Sequence, residues 1–333
     1  MVLVSGIAVV DLIGSDLPRV ARPGQLVFGS VRVSLGGHAC NVSADLAQLG
    51  FPKSRLRVVF PAGRDMFGRF LVDSLKARGL RVDPVFTERA PTSLDLILVA
   101  RGEDRRYHAD PGANIVMPAG RVLALLEKHR PLLCYVGGAG LLNRMDARLA
   151  AVLQRARAVG ARTFVDVVSP YRQSWDYLRR ALPWADFFHC NSDEAADLTG
   201  QRRPRQALDR ILDLGAKHVF LTMGDRGVLA AIPGSVIRVP AFSVKVTDPT
   251  GAGDAFSAGL ILRVHRALAA GRGPEEISVE SWKDILVFAS ACGAACCAGI
   301  GTTAAVSAEN AARLVRRHGR ALSRRITVAG ARA

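Results

Sequence analysis

The sequence predicts an α/β fold with a mostly parallel central sheet, helices on both faces, and a second, smaller sheet. Short apolar runs alternate with segments of helical periodicity, which is typical of βα units in a parallel sheet. The chain has 333 residues, of which 49% are apolar, so it can bury a large core without disulfides or metals. Residues 12–35 and 87–112 break the alternation and are expected to form the smaller sheet.

The central sheet is predicted from six short apolar runs and the helical patterns that follow several of them. The candidate strands are residues 2–9, 57–61, 132–136, 163–166, 186–189 and 218–222. Apolar residues at helical spacing over 41–49 predict a helix that ends at Gly50. The same pattern predicts helices over 66–78 and 255–268.

The smaller sheet is predicted from a strand over residues 30–34 and a hairpin over 94–109 with its turn at 101–104. Neither segment has flanking helices. We therefore divide the chain into a large domain, made of residues 1–11, 36–86 and 113–333, and a lid, made of residues 12–35 and 87–112. Such an insertion is where a lid over an active site would lie.

Charge is the first bulk property that restricts the function. The formal net charge is +16, and the densest arginine groups are residues 202–205 and 316–325. No aromatic residues interleave with these arginines, as a nucleic-acid groove would usually require. We therefore expect a solvated basic surface first, a contribution to binding a phosphorylated ligand second, and nucleic-acid binding last.

Cysteine spacing and hydropathy restrict the compartment. The six cysteines form no C-x-x-C pair, which argues against a zinc site or disulfide framework and indicates a reduced, cytoplasmic protein. The N-terminus has no basic leader and reads as a strand rather than a signal peptide. The longest uncharged run, residues 285–308, is broken at Gly299 and Gly301, so we predict a buried helix and a loop rather than a membrane span.

Residues 247–256, Thr-Asp-Pro-Thr-Gly-Ala-Gly-Asp-Ala-Phe, carry the clearest chemical pattern. Gly251 and Gly253 leave backbone N–H groups uncovered, and a helix that begins near Ala252 favours an anion there. Asp254 would lie beside that anion, where it can accept a proton from a hydroxyl that attacks a phosphoryl group. Alternatively, Asp254 is an ordinary first-turn acid. The motif alone favours neither interpretation, and the chain has no Walker A sequence.

Five segments, in order, resemble those of the PfkB, or ribokinase-like, carbohydrate kinases. Residues 248–256 resemble the family's C-terminal signature, and Gly36-Gly-His-Ala-Cys-Asn41 resembles its first signature. Asn191-Ser-Asp-Glu194 resembles its N-x-x-E motif, and Thr222-Met-Gly224 followed by Gly227 resembles its T-x-G segment. Asp11 stands where the family has a sugar-binding aspartate. The resemblance covers residues 5 to about 305 and implies a three-layer ribokinase-like sandwich with a small β-sheet lid.

The resemblance also implies site residues. The catalytic group would be Asp254 as base with Gly251, Ala252 and Gly253 as the anion hole. The substrate would be held by Asp11, Gly36, Gly37 and Asn41. Apart from the resemblance, the lid hairpin residues 105–108, with Arg106 as the assigned contact, are expected to close over the substrate, and their positive charge would suit a sugar phosphate or sugar acid. The nucleotide, ATP, would be held by Asn191, Thr222, Gly224, Gly227 and Ser290. Mg²⁺ would be held by Asn191 and Glu194 through water, and a monovalent cation such as K⁺ would lie near Asp248 and the loop 299–303.

Most of these residues also have a structural interpretation. Glu194 can be a helix-capping acid, and Asn41 an N-cap-like residue in the first turn of its helix. Thr222 can be an ordinary strand end, with Gly224 and Gly227 in a hairpin turn. Ser290 can pack against a neighbouring helix.

Two departures from the family pattern affect the substrate. His38 replaces the lysine usual after the glycine pair, and Gly137-Gly138 stands where ribokinases often carry a glutamate. The leading hypothesis is ATP-dependent phosphorylation of a sugar or sugar-like hydroxyl. A nucleoside kinase, a sugar-phosphate kinase of phosphofructokinase type and a non-catalytic regulatory protein are the alternatives. A small-molecule substrate and a homodimer through the lid are the expected partners.

Overall fold

A computed structural model describes residues 1–103 and 105–330 of the chain. The strands and helices in chain order are β1 (Val2–Gly6), β2 (Val9–Leu17), β3 (Ser30–Gly36), α1 (His38–Gln48), β4 (Leu56–Gly63), α2 (Met66–Ala77), β5 (Arg81–Thr87), β6 (Leu94–Ala100), β7 (Arg106–Asp110), α3 (Ala119–His129), β8 (Leu133–Ala139), α4 (Asn143–Asp146), α5 (Leu149–Ala158), β9 (Arg162–Val167), α6 (Asp176–Ala181), β10 (Phe187–Asn191), α7 (Ser192–Thr199), α8 (Pro204–Asp213), β11 (His218–Thr222), β12 (Val228–Ile232), β13 (Ser235–Val239), α9 (Ala252–Ala269), α10 (Val279–Cys297), α11 (Ala308–Ser323) and β14 (Thr327–Gly330).

The central sheet has ten strands in the order β14-β13-β12-β11-β10-β9-β8-β1-β4-β5. Neighbouring strands from β11 to β5 in this order pair parallel, and β11 to β14 pair antiparallel. The mostly parallel sheet predicted from the sequence is therefore confirmed. All six predicted strands occur, whereas β5, β12, β13 and β14 were not predicted.

The central sheet is covered by helices on both faces, which confirms the three-layer sandwich. Side chains alternate along β1, so that Val2 and Val4 enter one core while Leu3 enters the other. The first core is shared with α1, α2, α9, α10 and α11, and the second with α3, α5, α6, α7 and α8. Within the described residues, no helix is long and apolar enough to cross a membrane.

The second sheet has four strands in the order β3-β2-β6-β7. β2 and β3 pair antiparallel, β2 and β6 pair parallel, and β6 and β7 form the predicted antiparallel hairpin. Its predicted turn at 101–104 includes Asp104, which lies outside the described residues. The C-terminal residues 331–333 of the predicted large domain also lie outside them.

The strand predicted over residues 2–9 is divided between the two sheets. β1 ends at Gly6 in the central sheet, and β2 begins at Val9 in the small sheet. Between them, the Ala8 N–H donates to the side chain of Asn114, at 3.0 Å. Asp11 therefore lies on the small sheet, although the domain division placed residues 1–11 and Gly36 in the large domain.

Candidate active site

The candidate site lies where the parallel strands end. Gly137 lies near the end of β8, Asp166 near the end of β9, Asn191 ends β10 and Thr222 ends β11. Open α/β sheets bind ligands beyond the carboxyl ends of their strands, because the loops there have room to carry polar groups. The small sheet and the first turn of α9 meet this edge through the contacts described below.

The first turn of α9 forms a set of unpaired donors. Gly251 precedes the helix in the left-handed region, at φ +83°, and a Cβ there would lie 2.5 Å from the Thr302 carbonyl oxygen. The predicted anion hole included Ala252, but its N–H donates to the Pro249 carbonyl, at 3.1 Å. The N–H groups of Gly251, Gly253 and Asp254 have no acceptor within residues 1–103 and 105–330. These three groups, with the helix dipole, suit a phosphate.

Asp254 has one oxygen held and one oxygen open. Its side chain is buried, and Oδ2 accepts a hydrogen bond from Asn41 Nδ2, at 2.8 Å. Oδ1 is also buried and has no hydrogen-bond partner in the described part of the chain. Burial raises the pKa of this carboxyl, while the nearby His38 and the Asn41 hydrogen bond oppose the rise. An open, buried carboxylate oxygen of raised pKa suits a general base.

Asn41 is fixed from α1 in a position to orient Asp254. The N-terminus of α1 is capped by Gly37, not by Asn41, so the capping interpretation of Asn41 is not what the structure shows. The Asn41 Oδ1 atom lies 2.9 Å from the Thr302 hydroxyl, which leaves its Nδ2 aimed at Asp254. Gly37 has φ +82°, a conformation that disfavours other residues.

Acidic side chains of the small sheet line the space in front of Asp254. Asp11 and Asp95 are paired residues of β2 and β6 and therefore share one face of the sheet. No hydrogen-bond donor reaches either carboxylate in the described residues. Burial, with the charges of Asp95, Asp254 and Asp248, raises the pKa of Asp11 to about 8. A Cβ at Gly36 would lie 2.5 Å from Asp11 Oδ1, so this glycine leaves room for the carboxylate.

A buried polar network that was not predicted from the sequence lies behind Asp254. Asp166 accepts hydrogen bonds from Ser257 (2.7 Å) and Tyr135 (3.0 Å), and its Oδ1 lies 2.8 Å from His189 Nδ1. The other ring nitrogen of His189 lies 3.2 Å from the Thr222 hydroxyl. Burial opposes the charged forms, but their pairing lowers the pKa of Asp166 and raises that of His189.

His38 joins this network to the candidate base. Its Nε2 lies 3.8 Å from Asp254 Oδ1 and 3.9 Å from Asp166 Oδ1. A Cβ at Gly137 would lie 2.6 Å from His38 Cβ, so the glycine that replaces a larger residue makes room for the histidine. The two departures noted in the sequence are therefore in contact with each other. A polar residue at the end of β9 was the available sign of Asp166.

The predicted nucleotide residues lie at the ends of β10 and β11. Thr222 is partly buried. Gly227 has φ +88°, and a Cβ there would lie 2.0 Å from the Val239 carbonyl oxygen, so no other residue fits. Gly224 has open space around it. Ser290 lies on α10, partly buried, one turn from the α9 contact at Gly293.

Asn191 and Glu194 form a helix capping box. Asn191 Oδ1 accepts from the N–H groups of Asp193 and Glu194, and Glu194 Oε2 accepts from the Asn191 N–H. The capping interpretation of Glu194 is therefore what the structure shows, and it leaves Oε1 for another ligand. Burial raises the pKa of Glu194 to about 7. No cluster of three metal-ligating side chains occurs among the described residues.

The structure does not place Arg106 with the other site residues. Arg106 lies on the outer face of the lid, because it pairs with Leu98 across β6, and it forms an ion pair with Glu103. The site-facing members of this hairpin are Arg105 and Tyr107, which reach the Thr250 hydroxyl at 2.6 and 3.1 Å. Sheet alternation, applied in the correct register, would have selected these two from the hairpin residues 105–108.

Asp248 receives donors on both oxygens. Arg105 and the Thr250 N–H donate to Oδ1, at 2.6 and 3.0 Å, and the Gly301 N–H donates to Oδ2, at 3.1 Å. These donors outweigh partial burial and lower the pKa of Asp248. The lid is thereby tied to the loop that precedes α9.

Comparisons with known proteins show the family and the fold of the chain. The profile of the pfkB family carbohydrate kinases matches residues 1–309. The chain is 27% identical to Fructokinase-2 from Oryza sativa subsp. japonica over 290 residues, which is 84% of each chain. The ribokinase structure from Giardia lamblia has a TM-score of 0.80 at 23% identity, over 94% of this chain and 98% of that one. An ATP-bound fructokinase from Xylella fastidiosa has a TM-score of 0.79 at 23% identity, over 96% and 98%. The chain has the ribokinase fold and belongs to the pfkB family of carbohydrate kinases.

Proposed function

We propose that this protein transfers the γ-phosphoryl group of ATP to a hydroxyl of an uncharged sugar or sugar-like alcohol. The observation that carries the proposal is the open Oδ1 of Asp254 beside three unpaired N–H groups at the start of α9. The base and the anion site are thus within one helical turn, as in-line phosphoryl transfer requires.

In the proposed reaction, Asp254 accepts the proton of the acceptor hydroxyl as that oxygen bonds to the γ-phosphorus. The bond from the γ-phosphorus to the bridging oxygen breaks, and ADP leaves. The N–H groups of Gly251, Gly253 and Asp254 stabilise charge on the transferred group, and Asn41 keeps the base in place. Asp254 then releases its proton with the product.

The nucleotide is proposed to lie along Thr222, Gly224 and Gly227. The ATP-bound structure of the fructokinase from Xylella fastidiosa supports ATP as the donor. Mg²⁺ bound with the nucleotide supplies positive charge against the phosphate oxygens. Oε1 of Glu194 and the Asn191 side chain are the residues we propose to hold it through water, since Mg²⁺ keeps several waters.

The charge of the acceptor space supports an uncharged polyhydroxyl substrate. Asp11, Asp95 and Oδ1 of Asp254 accept no hydrogen bonds from the described residues, so hydroxyl groups of the acceptor can supply the missing donors. A phosphate or carboxylate on the acceptor would be repelled by whichever of these groups is ionised, and a protonated Asp11 would offer it no positive charge. The Arg106 side chain, which was expected to supply positive charge, faces away from the acceptor space and pairs with Glu103. Arg105 is paired with Asp248. This geometry disfavours the sugar-phosphate alternative.

Three further properties belong to the proposal. Asp248 and the loop 299–303 are adjacent, as a K⁺ site requires, but a cation at Oδ1 has to displace Arg105. Equal rates in K⁺ and tetramethylammonium buffers would exclude activation by K⁺.

A homodimer through the lid is supported by apolar side chains on its outer face. The six cysteines are unbonded, which supports a reduced, cytoplasmic setting.

The proposal is tested by ADP production from ATP and Mg²⁺ across an acceptor panel. The panel contains ribose, fructose, myo-inositol, cytidine and adenosine as uncharged acceptors, with fructose 6-phosphate and 2-keto-3-deoxygluconate as anionic ones. We expect turnover with an uncharged acceptor, loss of it in Asp254→Asn, and retention in Asp213→Asn, an exposed acid of α8. Preference for an anionic acceptor would contradict the assigned substrate class, and turnover by cytidine or adenosine alone would identify a nucleoside kinase.

A further inference from the structure

A second cavity, of about 550 Å³, lies between the C-terminal half of α9, the N-terminal half of α10 and the middle of α11. Its volume is within the range of about 300 to 1,000 Å³ that is typical of small-molecule sites. None of the residues that the sequence or the family resemblance assigned to the reaction lines it. We call it the arginine cavity, after the four arginines that line it, Arg263, Arg266, Arg272 and Arg316.

The arginine cavity has a strong excess of positive charge. Among the described residues that line it, Asp284 is the only acidic one. In the part of the chain that the structure describes, none of the four arginines forms an ion pair. Many arginines elsewhere on the described surface also form no ion pair, so the distinguishing feature of these four is that their guanidinium groups line one concave site.

Arg263 is the residue that most clearly lacks a partner. Its Nε is buried and has no hydrogen-bond acceptor among the described residues. Its guanidinium lies over the ring of Phe288, at 4.1 Å from the centroid, which fixes the orientation of the group. Burial and the neighbouring charge of Arg266 lower the pKa of Arg263. A buried donor without an acceptor is destabilising unless a ligand supplies one.

The rest of the lining is apolar. Phe288, Ile277, Ile285 and Val315 contribute carbon surface between the arginines. A free inorganic anion would leave this surface exposed, whereas a ligand with both an anionic group and an apolar or planar part would cover it. The mixture of guanidinium groups and carbon surface therefore indicates the ligand class.

The arginine cavity is separate from the candidate active site but shares α9 with it. Arg263 is nine residues after Asp254 on the same helix, which places them about 14 Å apart along its axis. The nucleotide residues at the ends of β10 and β11 do not contribute to the cavity. A ligand there does not occupy the site of phosphoryl transfer.

We propose that the arginine cavity binds a small phosphorylated organic compound that has an apolar or planar part. Arg266, Arg272 and Arg316 bind its phosphate, and Arg263 and Phe288 contact the body beside it. A nucleic-acid backbone would also satisfy arginines, but the cavity is concave and has a single aromatic side chain, which is unlike the stacking platforms of strand-binding grooves.

The test uses 1-naphthyl phosphate as a fluorescent probe with the full-length protein. Two double variants with the same loss of charge are compared, Arg266→Gln with Arg316→Gln in the cavity, and Arg320→Gln with Arg324→Gln outside it. We expect saturable binding to the wild type, a rise in Kd of at least about tenfold in the cavity variant, and no change in the control variant. Thermal unfolding of both variants shows that each is folded.

Three results would overturn the proposal. The first is an absence of saturable binding to the wild type, the second is a Kd that rises equally in the two double variants, and the third is a Kd that stays at the wild-type value in the cavity variant. Nucleic acid would instead be the ligand of this face if a random DNA duplex displaces the probe and if both double variants bind that duplex equally more weakly than the wild type. Displacement of the probe by inorganic phosphate at millimolar concentration, in the wild type alone, would support the assigned phosphate contact.

Discussion

Asp254 differs from an ordinary helix-capping acid in what its two oxygens contact. A first-turn acid that serves only the dipole is exposed, whereas Asp254 is buried and has one oxygen held by Asn41 from another helix. The cost of burying a carboxylate is partly offset by His38 and Asn41, which leaves its pKa raised. A group kept in this state at the start of α9 is explained by proton transfer rather than by stability.

The first prediction concerns this carboxylate. Asp254→Asn keeps the shape of the side chain and removes the proton acceptor, so kcat should fall by about 10² to 10⁴ with a smaller change in KM. Steady-state kinetics with the acceptor found in the panel measures both. Because Asn41 would then face an amide, nucleotide binding by the variant should be measured separately by calorimetry. A kcat within about threefold of the wild type would rule out the assigned role.

The second prediction concerns pH and His38. The positive charge of His38 lowers the pKa of Asp254, and Asp254 must be ionised to act as a base. In His38→Asn this pKa should rise, so the acidic limb of the kcat profile should move to higher pH. The variant should therefore lose more activity at pH 6 than at pH 8. His108→Asn, on the exposed outer face of the lid, is the control and should leave the profile unchanged.

The third prediction concerns the stability cost of Asp11. Its pKa is about 8 in the folded protein and near 3.8 in the unfolded chain, so the folded state binds the extra proton between these values. Wild-type stability should therefore fall as pH rises through this window. Asp11→Asn removes the buried charge and should raise the free energy of unfolding by on the order of 1 to 3 kcal/mol at pH 8, with little gain at pH 4.

Denaturant unfolding at several pH values measures this effect. Asp73→Asn, an exposed acid on α2, is the matched control and should show no pH-dependent gain. The stabilised Asp11 variant should also bind acceptor more weakly, because the carboxylate that accepts its hydroxyl hydrogen bonds is gone. If the gain in unfolding free energy over the wild type is no larger at pH 8 than at pH 4, the charge of Asp11 does not destabilise the folded state.

At the scale of elements, the sequence predicted what depends on local pattern. The strands that carry Asn191 and Thr222 and the helix that carries Asp254 were predicted because apolar runs and helical periodicity are local properties. Asp95 and Asp166 were missed, since their roles depend on which strands become neighbours. Arg106 was wrongly chosen over Arg105 because the face that each side chain occupies depends on the register of β6 and β7. That register is not a local property of the sequence.

Two of the strands that were not predicted, β5 and β14, are edge strands with weak local patterns. β5 contains Pro84 and charged residues, which is acceptable because it is an edge strand of the central sheet. β14 is an exposed edge strand of four residues at the opposite side. Neither has a local pattern strong enough to distinguish it from a loop.

The fourth prediction concerns the turn into α9. Gly251 and Gly50 have nearly the same positive φ, +83° and +85°, but a Cβ at Gly50 meets no atom within 4 Å. Gly50→Ala should therefore cost about 1 kcal/mol from backbone strain alone. Gly251→Ala should cost more and should also lower kcat, because the clash with Thr302 displaces the N–H groups. Equal losses of stability and unchanged kcat in both variants would contradict the assigned geometry.

At the scale of the whole molecule, the lid is amphipathic. Its inner face carries Asp11 and Asp95, while its outer face carries Leu12, Val33 and Leu96, which are paired across β3, β2 and β6. Val33 is 50% exposed and Leu96 is 43% exposed. A contiguous apolar face of this kind on a sheet with two open edges favours association with a second copy.

The last prediction is that the protein is a homodimer that pairs through the outer face of the lid. Val33→Asp with Leu96→Asp would bury two carboxylates per subunit in that interface, so the variant should be monomeric. Sedimentation velocity over a range of about 1 to 100 µM measures the change. Met66→Asp, a similarly exposed apolar residue at the start of α2, is the control and should remain dimeric. If the wild type is a monomer at the highest concentration, the predicted homodimer is wrong. If the double variant remains a dimer, the interface lies elsewhere on the molecule.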